Sequence, residues 1–553
     1  MAILLKLAIV RSSMEEVEAF RGANLKSEVW NPLIAESINE KAITFLIDNK
    51  VLKSTDTKLY MNENLNLMIP ISVLRDNFNC STHLYDKKEL FVEKRENELE
   101  FVLNEPTIRV NQKKSEIISP MVLKGEEYYI SAQAVSEHLN FNYNWDMDKN
   151  QAVAMDSSMG VSILPTSYDL REKHRAPPIK DQGKYGTCWA FAALAGIEST
   201  LLPEQEKEFS PDHMSIQNSF YLEQVDGGEY TMGMAYLAAW QGPVYEKDDP
   251  YGDEASPEDL PPKKHVQEIQ IIEEKDFEGI KEAVFQYGGV QTSIYSAFKD
   301  AKSKSMYYNS ENNAYCYIGT EKPNHDVLII GWDDHYSKDN FNMELEADGA
   351  FICQNSWGSD FGEDGVFYIS YYDVAIGIHN VVYTSIKETD NYDHIYQSDL
   401  CGWVGQLGYD KEEIYAANIY TAKSDEQLVA AGFYATGKNT DYELYIVKNY
   451  VDQNSLSSRA LVATGKVSNA GYYTIDFNRN INVKAGERYA VMMHILTPGS
   501  IHPIAIEFNA GESTSKVDLS DGEGYISAKG KTWEHVEETQ NCNLCLKVYS
   551  KDQ

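Results

Sequence analysis

The sequence predicts an α+β protein of several domains, and three observations carry that expectation. At 553 residues the chain exceeds what one hydrophobic core can organise, roughly 250–300 residues. In its middle third helical patterns come first ("TCWAFAALAGIESTLL", "DFEGIKEAVFQYGG") and β-branched, aromatic strands follow ("VQTSIY", "HDVLIIGWDD", "GAFICQNSW", "GVFYISYYD"). From about residue 394 onward, regularly spaced alternating strands ("LVAAGFYAT", "YELYIVKNYV", "GYYTIDF", "RYAVMMHIL") are separated by Gly, Asn, Asp and Ser turns, the pattern of a β-sandwich.

Composition narrows the function classes. Hydrophobic residues are 43% and charged residues 24%, enough apolar surface to offset the entropy of ordering, so the bulk of the chain folds. The net charge of −36 repels polyphosphates and anionic lipid heads, which excludes nucleic-acid and simple membrane-surface binding and leaves a cationic wall or surface polymer as a conceivable partner. No run approaches the ~20 apolar residues of a transmembrane helix. The opening "MAILLKLAIV" has the flavour of a short signal h-region, yet it carries Lys6, is followed by Arg11 and lacks a clear small-residue cleavage site. Either a signal lies outside this sequence or there is none. Seven cysteines, an odd number, argue against a disulfide scaffold and leave at least one thiol free.

Residues 1–59 form an unassigned amino-terminal segment. Between 60 and 163, "LMIPISVLRDNFNCSTHLYDKKELFVEK" is echoed by "EYYISAQAVSEHLNFNYNWDMDKNQAVAM", with Tyr85-Asp86 recurring as Trp145-Asp146. Each segment reads as strand, amphipathic helix, turn and strand, and two pseudo-repeated ααβ-like units are expected to form one small α+β domain. The pattern resembles the copper amine oxidase amino-terminal domain, which implies a spacer or a proregion. No clustered histidines accompany it, so copper chemistry is not implied.

The sharpest feature lies in the next region, 164–388. In "IKDQGKYGTCWAFAALAGIES", Cys188 opens the apolar helix, where free N–H groups and the helix dipole favour an anion and depress a thiol pKa. Asp276 is a candidate N-cap and Gly288 a stop for a second helix. His325 stands in "PNHDVLIIGWDD", 137 positions after Cys188, and Asn355 in "CQNSWGSDFGEDG", 30 positions further on. The ordered set resembles the papain family of cysteine peptidases, whose His and Asn follow the Cys by ~130–150 residues. The resemblance implies a two-lobed peptidase domain in which Cys188 is the nucleophile, His325 its acid–base partner, Asn355 the group orienting the imidazole, and Gln182 an oxyanion donor beside the Cys188 N–H. It further implies that Trp357 shelters the Asn355–His325 bond and that Gly227 and Gly228 in "QVDGGEY" are where substrate backbone is laid against enzyme backbone.

Several positions depart from the family pattern. Tyr185 stands where many members carry a cysteine, so other packing must fix that corner, and Thr187 replaces the usual Ser. "HYSKDNFNMELEADGA" reads as a surface hairpin insertion. Cys353 is expected to pack rather than react. Cys542 and Cys545 make a C-x-x-C without a second pair, a weak zinc signal better read as a terminal strand. The 394–549 region, with "VKAGERYAVMMH", resembles the lectin-like domain of clostridial cell-wall cysteine proteases. That likeness implies a secreted or surface peptidase acting on envelope proteins, with no required cofactor and room for a structural calcium. Two alternatives stay open: a catalytically idle envelope adhesin using the sandwich, and a transpeptidase passing the same acyl-enzyme to an amine.

Overall fold

In the computed structural model, residues 27–47, 50–95, 97–125, 127–146, 149–156, 164–298 and 305–553 are described. The h-region-like opening lies outside them. The chain divides into two compact units, Met1–Pro165 and Thr166–Gln553.

The first unit is built on the internal repeat. In the first copy, strand Leu67–Pro70 leads into helix Ser72–Phe78 and then strands Ser81–Tyr85 and Glu89–Lys94. In the second, Glu127–Ser131 leads into Ala132–His138, then Phe141–Asp146 and Gln151–Asp156. Each copy is therefore βαββ rather than the expected ααβ, because a single seven-residue helix per copy suffices to cover one sheet face. The leading strands of the two copies pair antiparallel, Ile69 opposite Ile130. Asp86, of the first aromatic-Asp pair, and Lys87 hold positive φ in the hairpin turn. Phe78 and Phe141 meet edge-on at 4.8 Å in a core that also buries Phe45, Leu74, Leu99 and Val135.

In the second unit the Cys188–Leu201 helix is buried on nearly every side, as its composition requires. It packs on helix Tyr230–Ala238 and on strands His325–Asp333 and Asn380–Lys387. The sheet behind it runs Ala314–Tyr315, Val366–Ser370, Ala350–Gln354, His325–Asp333, Val290–Ile294, Asn380–Lys387, His265–Ile272. Asp276 caps helix Phe277–Gln286 by accepting from the Gly279 N–H at 3.0 Å. The 335–350 segment is not a β-hairpin. It forms a 3-10 turn at Lys338–Asn340 and buries Phe341 and Leu345 against Ala314 and Cys316, so apolar anchors rather than strand pairing shape it.

The carboxy-terminal region is a sandwich of two sheets. One, of six strands, includes Thr440–Val447, Arg488–Leu496 and Glu413–Thr421. The other, with Ala470–Val483 and Glu426–Ala435, continues the peptidase sheet through pairing of His265–Ile272 with Ala470–Val483. Gly471, at φ +140°, sits where a Cβ would lie 2.0 Å from the Ile269 carbonyl, so no other residue permits that approach. Between the sheets lie Phe433, Leu444, Val491, Met493 and Val548, and a second cluster joins Trp189 and Tyr383 to Tyr434, Tyr472 and Cys545. All seven cysteines are free thiols, and Cys542 and Cys545 are buried.

Candidate active site

The loop before the nucleophile is anchored from below. Lys180 reaches the buried Glu198 carboxylate at 2.6 Å, and the same oxygen accepts from the Phe209 N–H at 2.8 Å, tying the loop to the last turn of the Cys188–Leu201 helix. Breaking such a buried pair by removing one partner costs about 3–5 kcal/mol. At the corner where a disulfide is missing, the Tyr185 and Phe191 rings each stand edge-on to Tyr251, and the Tyr185 hydroxyl donates to Glu254. The Tyr251 hydroxyl contacts Thr187 Oγ1 at 2.7 Å and donates to the Gln182 carbonyl at 2.9 Å. An aromatic and hydroxyl cluster thus holds the loop.

Cys188 opens its helix and is partly exposed. The backbone N–H groups of Asp326, Trp189 and Cys188 itself favour its thiolate, so the thiol lies near the start of the strand that carries His325. His325 Nε2 donates to Asn355 Oδ1 at 2.8 Å, leaving Nδ1 as the ring nitrogen available to the thiol, and the same Oδ1 accepts from the Ser356 N–H at 2.8 Å. Trp357 stacks on the imidazole with ring centroids 4.8 Å apart, covering that bond. Gln182 Oε1 accepts from Ser356 Oγ at 2.6 Å while Nε2 donates one hydrogen to the Tyr185 carbonyl at 2.8 Å. The second Nε2 hydrogen stays available to an oxyanion.

Burial pushes the Cys188 thiol up to about 12, the Asp326 charge adds to the rise, and the three backbone N–H groups pull it back. Burial likewise lowers His325 to about 4, with the Asn355 bond pulling upward. A lone charge is therefore penalised on either group. The helix dipole read from sequence is one contributor rather than the deciding one.

Gly227, at φ +83°, and Gly228 lie against Gly186 and Trp189, on either side of Cys188 in the chain. A Cβ on Gly186 would meet Gly227 Cα at 2.7 Å, and one on Gly228 would meet Trp189 Nε1 at 2.4 Å, so these glycines are required by enzyme packing before any substrate is considered. The structure thus gathers Gln182, Cys188, Gly227, Gly228, His325, Asn355 and Trp357 into one site. Sequence reasoning passed over Ser356 and Asp326, although both stand inside the quoted motifs, next to Asn355 and His325. Cys353 is buried on its strand with its thiol pushed far up by burial, away from reactivity. Among the described residues no group of three or more His, Cys, Asp or Glu side chains is placed to hold a metal ion. Among the described residues no helix is long and apolar enough to cross a membrane.

Comparison with known proteins agrees with this geometry. Residues 164–386 match the papain family cysteine protease, 395–550 the lectin-like domain and 46–154 the copper amine oxidase N-terminal domain. A viral cathepsin of Heliothis zea nuclear polyhedrosis virus is 30% identical over 225 residues, 39% of this chain and 55% of the relative, so the chain spans little more than half of that protein's length. The cysteine protease and lectin-like domains of Cwp84, a surface layer associated protein of Clostridium difficile, superpose with a TM-score of 0.60 at 25% identity, covering 70% of this chain and 89% of that one. Cwp84 after propeptide cleavage gives a TM-score of 0.62 at 25% identity, covering 70% of this chain and 99% of that one. The chain thus carries a papain-family cysteine protease domain, joined through a shared sheet to a lectin-like domain and preceded by a copper amine oxidase N-terminal domain.

Proposed function

We propose that this protein is a cysteine endopeptidase that hydrolyses peptide bonds in cell-surface or secreted proteins. The observation that carries the reading is the assembly at one point of a thiol on the first residue of a helix, an imidazole fixed by Asn355, and an amide donor fixed by Ser356. In this reading the Cys188 proton passes to His325, and the thiolate attacks the scissile carbonyl carbon. The oxyanion accepts from the Cys188 N–H and the Gln182 amide, and the imidazolium then protonates the departing amine as the C–N bond breaks. Water, deprotonated by His325, splits the resulting thioester and returns the thiol. Likeness to Cwp84 supports a surface-layer or other envelope protein as substrate, and the segment before Leu164 as a proregion or spacer.

The test is Cys188→Ala. Peptide cleavage and labelling by an epoxide probe are expected to vanish while the circular dichroism spectrum stays that of the parent; proteolysis persisting in this variant refutes the proposal. Incubating the full chain under reducing conditions and sequencing the new amino terminus tests the proregion reading, which a failure to cut near Leu164 contradicts.

A further inference from the structure

The cluster that holds the nucleophile loop is itself tied to one buried carboxylate. Asp212 stands in the first turn of helix Pro211–Ile216 and is fully buried. Its Oδ1 accepts from Gln224 Nε2 at 2.7 Å, and its Oδ2 accepts from the Gly252 N–H at 2.9 Å. Each partner begins an arm that ends in the loop before Cys188. On one arm the Gln224 carbonyl accepts from the Gly186 N–H at 2.9 Å, and Gln224 opens the 3-10 turn Gln224–Asp226 that leads into Gly227. On the other, Tyr251, the neighbour of Gly252, sets its hydroxyl against Thr187 Oγ1 and the Gln182 carbonyl. Gln224 Nε2 gives its second hydrogen to Ser215 Oγ at 2.8 Å, which fixes the orientation of the amide.

Both groups that donate to Asp212 are neutral. Burial raises its carboxyl above the ordinary range, the Gly252 and Gln224 bonds pull it back, and the charges of Asp249 and Asp253 raise it further. A buried carboxylate held by neutral groups is unfavourable for stability. What it supplies that asparagine does not is two acceptor oxygens, each facing a donor on a different arm.

We propose that Asp212 is a positioning residue for peptide hydrolysis, a single carboxylate that sets the Gln182–Cys188 loop and the turn into Gly227 and Gly228 at a fixed separation. The oxyanion donor and the paired glycines are thereby aligned on the same peptide bond. This rests on the endopeptidase reading and adds the group that aligns its two loops. Asp212 acts only through Gln224 and Gly252, and at a corner without a disulfide its two hydrogen bonds do the joining.

The experiment follows three quantities in the full-length protein: kcat/KM for a peptide, alkylation of Cys188 by iodoacetamide, and amide hydrogen exchange over residues 182–188 and 224–228. In Asp212→Asn one of the two donors faces an NH2 group, so one arm opens. Hydrolysis is expected to fall about tenfold to a hundredfold, as misplacement of a reacting group does. Alkylation builds no oxyanion and is expected to stay within about twofold of the parent. Exchange over the two segments is expected to quicken about tenfold. Adding Gln224→Glu to Asp212→Asn exchanges the two groups. The new amide donates to the new carboxylate, its oxygen keeps the Gly252 N–H, and the Ser215 hydroxyl turns to donate. Hydrolysis by this double variant is expected to recover to within about threefold of the parent. Gln224→Ala opens one arm with the carboxylate in place and decides the matter if Asp212→Asn does not fold; its hydrolysis is expected to fall about fivefold or more. Hydrolysis and alkylation falling in parallel, a double variant no better than Asp212→Asn, or Gln224→Ala hydrolysing like the parent overturns the inference. A parent that is alkylated yet hydrolyses no peptide sinks only the peptidase reading. Exchange then decides this one, and rates over the two segments unchanged in Asp212→Asn and Gln224→Ala overturn it.

Discussion

Gln182 offers the most exposed test of how the oxyanion is met. Its Oε1 is held by Ser356 Oγ at 2.6 Å and one Nε2 hydrogen by the Tyr185 carbonyl at 2.8 Å, so the side chain has a single orientation and one hydrogen to give. Losing one preorganised oxyanion donor costs about 2.7–4 kcal/mol, a fall of about 10²–10³ in kcat for Gln182→Ala. Ser356→Ala keeps the donor but removes one of its two restraints. A net hydrogen bond of about 1 ± 0.5 kcal/mol corresponds to a fall of only about 2- to 15-fold. Steady-state hydrolysis of a fluorogenic peptide measures both. Alkylation by iodoacetamide is the internal control, because attack at a saturated carbon builds no oxyanion, and its rate is expected to change little in either variant. A Gln182→Ala enzyme within tenfold of the parent, or alkylation falling in parallel with hydrolysis, refutes the assignment.

Other expectations follow from charges near the site. The Asp326 charge raises the Cys188 thiol, so Asp326→Asn lets the thiolate form at lower pH. The acid limb of kcat/KM on an uncharged peptide is expected to move downward, and an unmoved or raised limb contradicts the electrostatic account. Burial raises the Glu198 carboxyl from an ordinary 4.5 to about 6, against the pull of Lys180. The folded protein then retains a proton that the unfolded chain releases, and the stability this group contributes below pH 4.5 is lost as pH rises through 6, about 2 kcal/mol in all. Urea unfolding followed by tryptophan fluorescence should show the parent losing about 1.3 kcal/mol of that relative to Glu198→Gln between pH 4.5 and 6; a flat difference disproves it.

Much of the site was legible because its chemistry fixes residue types within short motifs. Cys188 before an all-apolar helix, His325 at a strand start and Asn355 before Ser-Trp-Gly each announce a role locally. What escaped was set by contacts distant in sequence. Tyr251, 66 positions beyond Tyr185, replaces the absent disulfide through ring contacts and a hydroxyl bridge, and no local pattern marks it. Ser356 gains its role only because Gln182, on another loop, folds against it. Asp326 reads as an ordinary strand residue until Ser293 and Gln291 enclose it. Continuity of the peptidase and sandwich sheets depends on edge pairing of His265–Ile272 with Ala470–Val483, and an edge strand does not name its partner. Each amino-terminal repeat carries one short helix where an ααβ-like unit is expected, because the apolar runs flanking it pair as strands.

The account turns on Cys188 and His325 ionising as a pair, and the direct measurement is the pH dependence of iodoacetamide labelling at each cysteine of the native protein, read by peptide mass spectrometry. Cys188 is expected to react far faster than Cys80, Cys316, Cys353, Cys401, Cys542 and Cys545, all buried. Its reactivity should extend well below the ordinary thiol range and should fall to that of the buried thiols at neutral pH in His325→Ala. Labelling of Cys188 at the rate of the other six, or a rate and pH profile unchanged by loss of the imidazole, would contradict the paired thiolate.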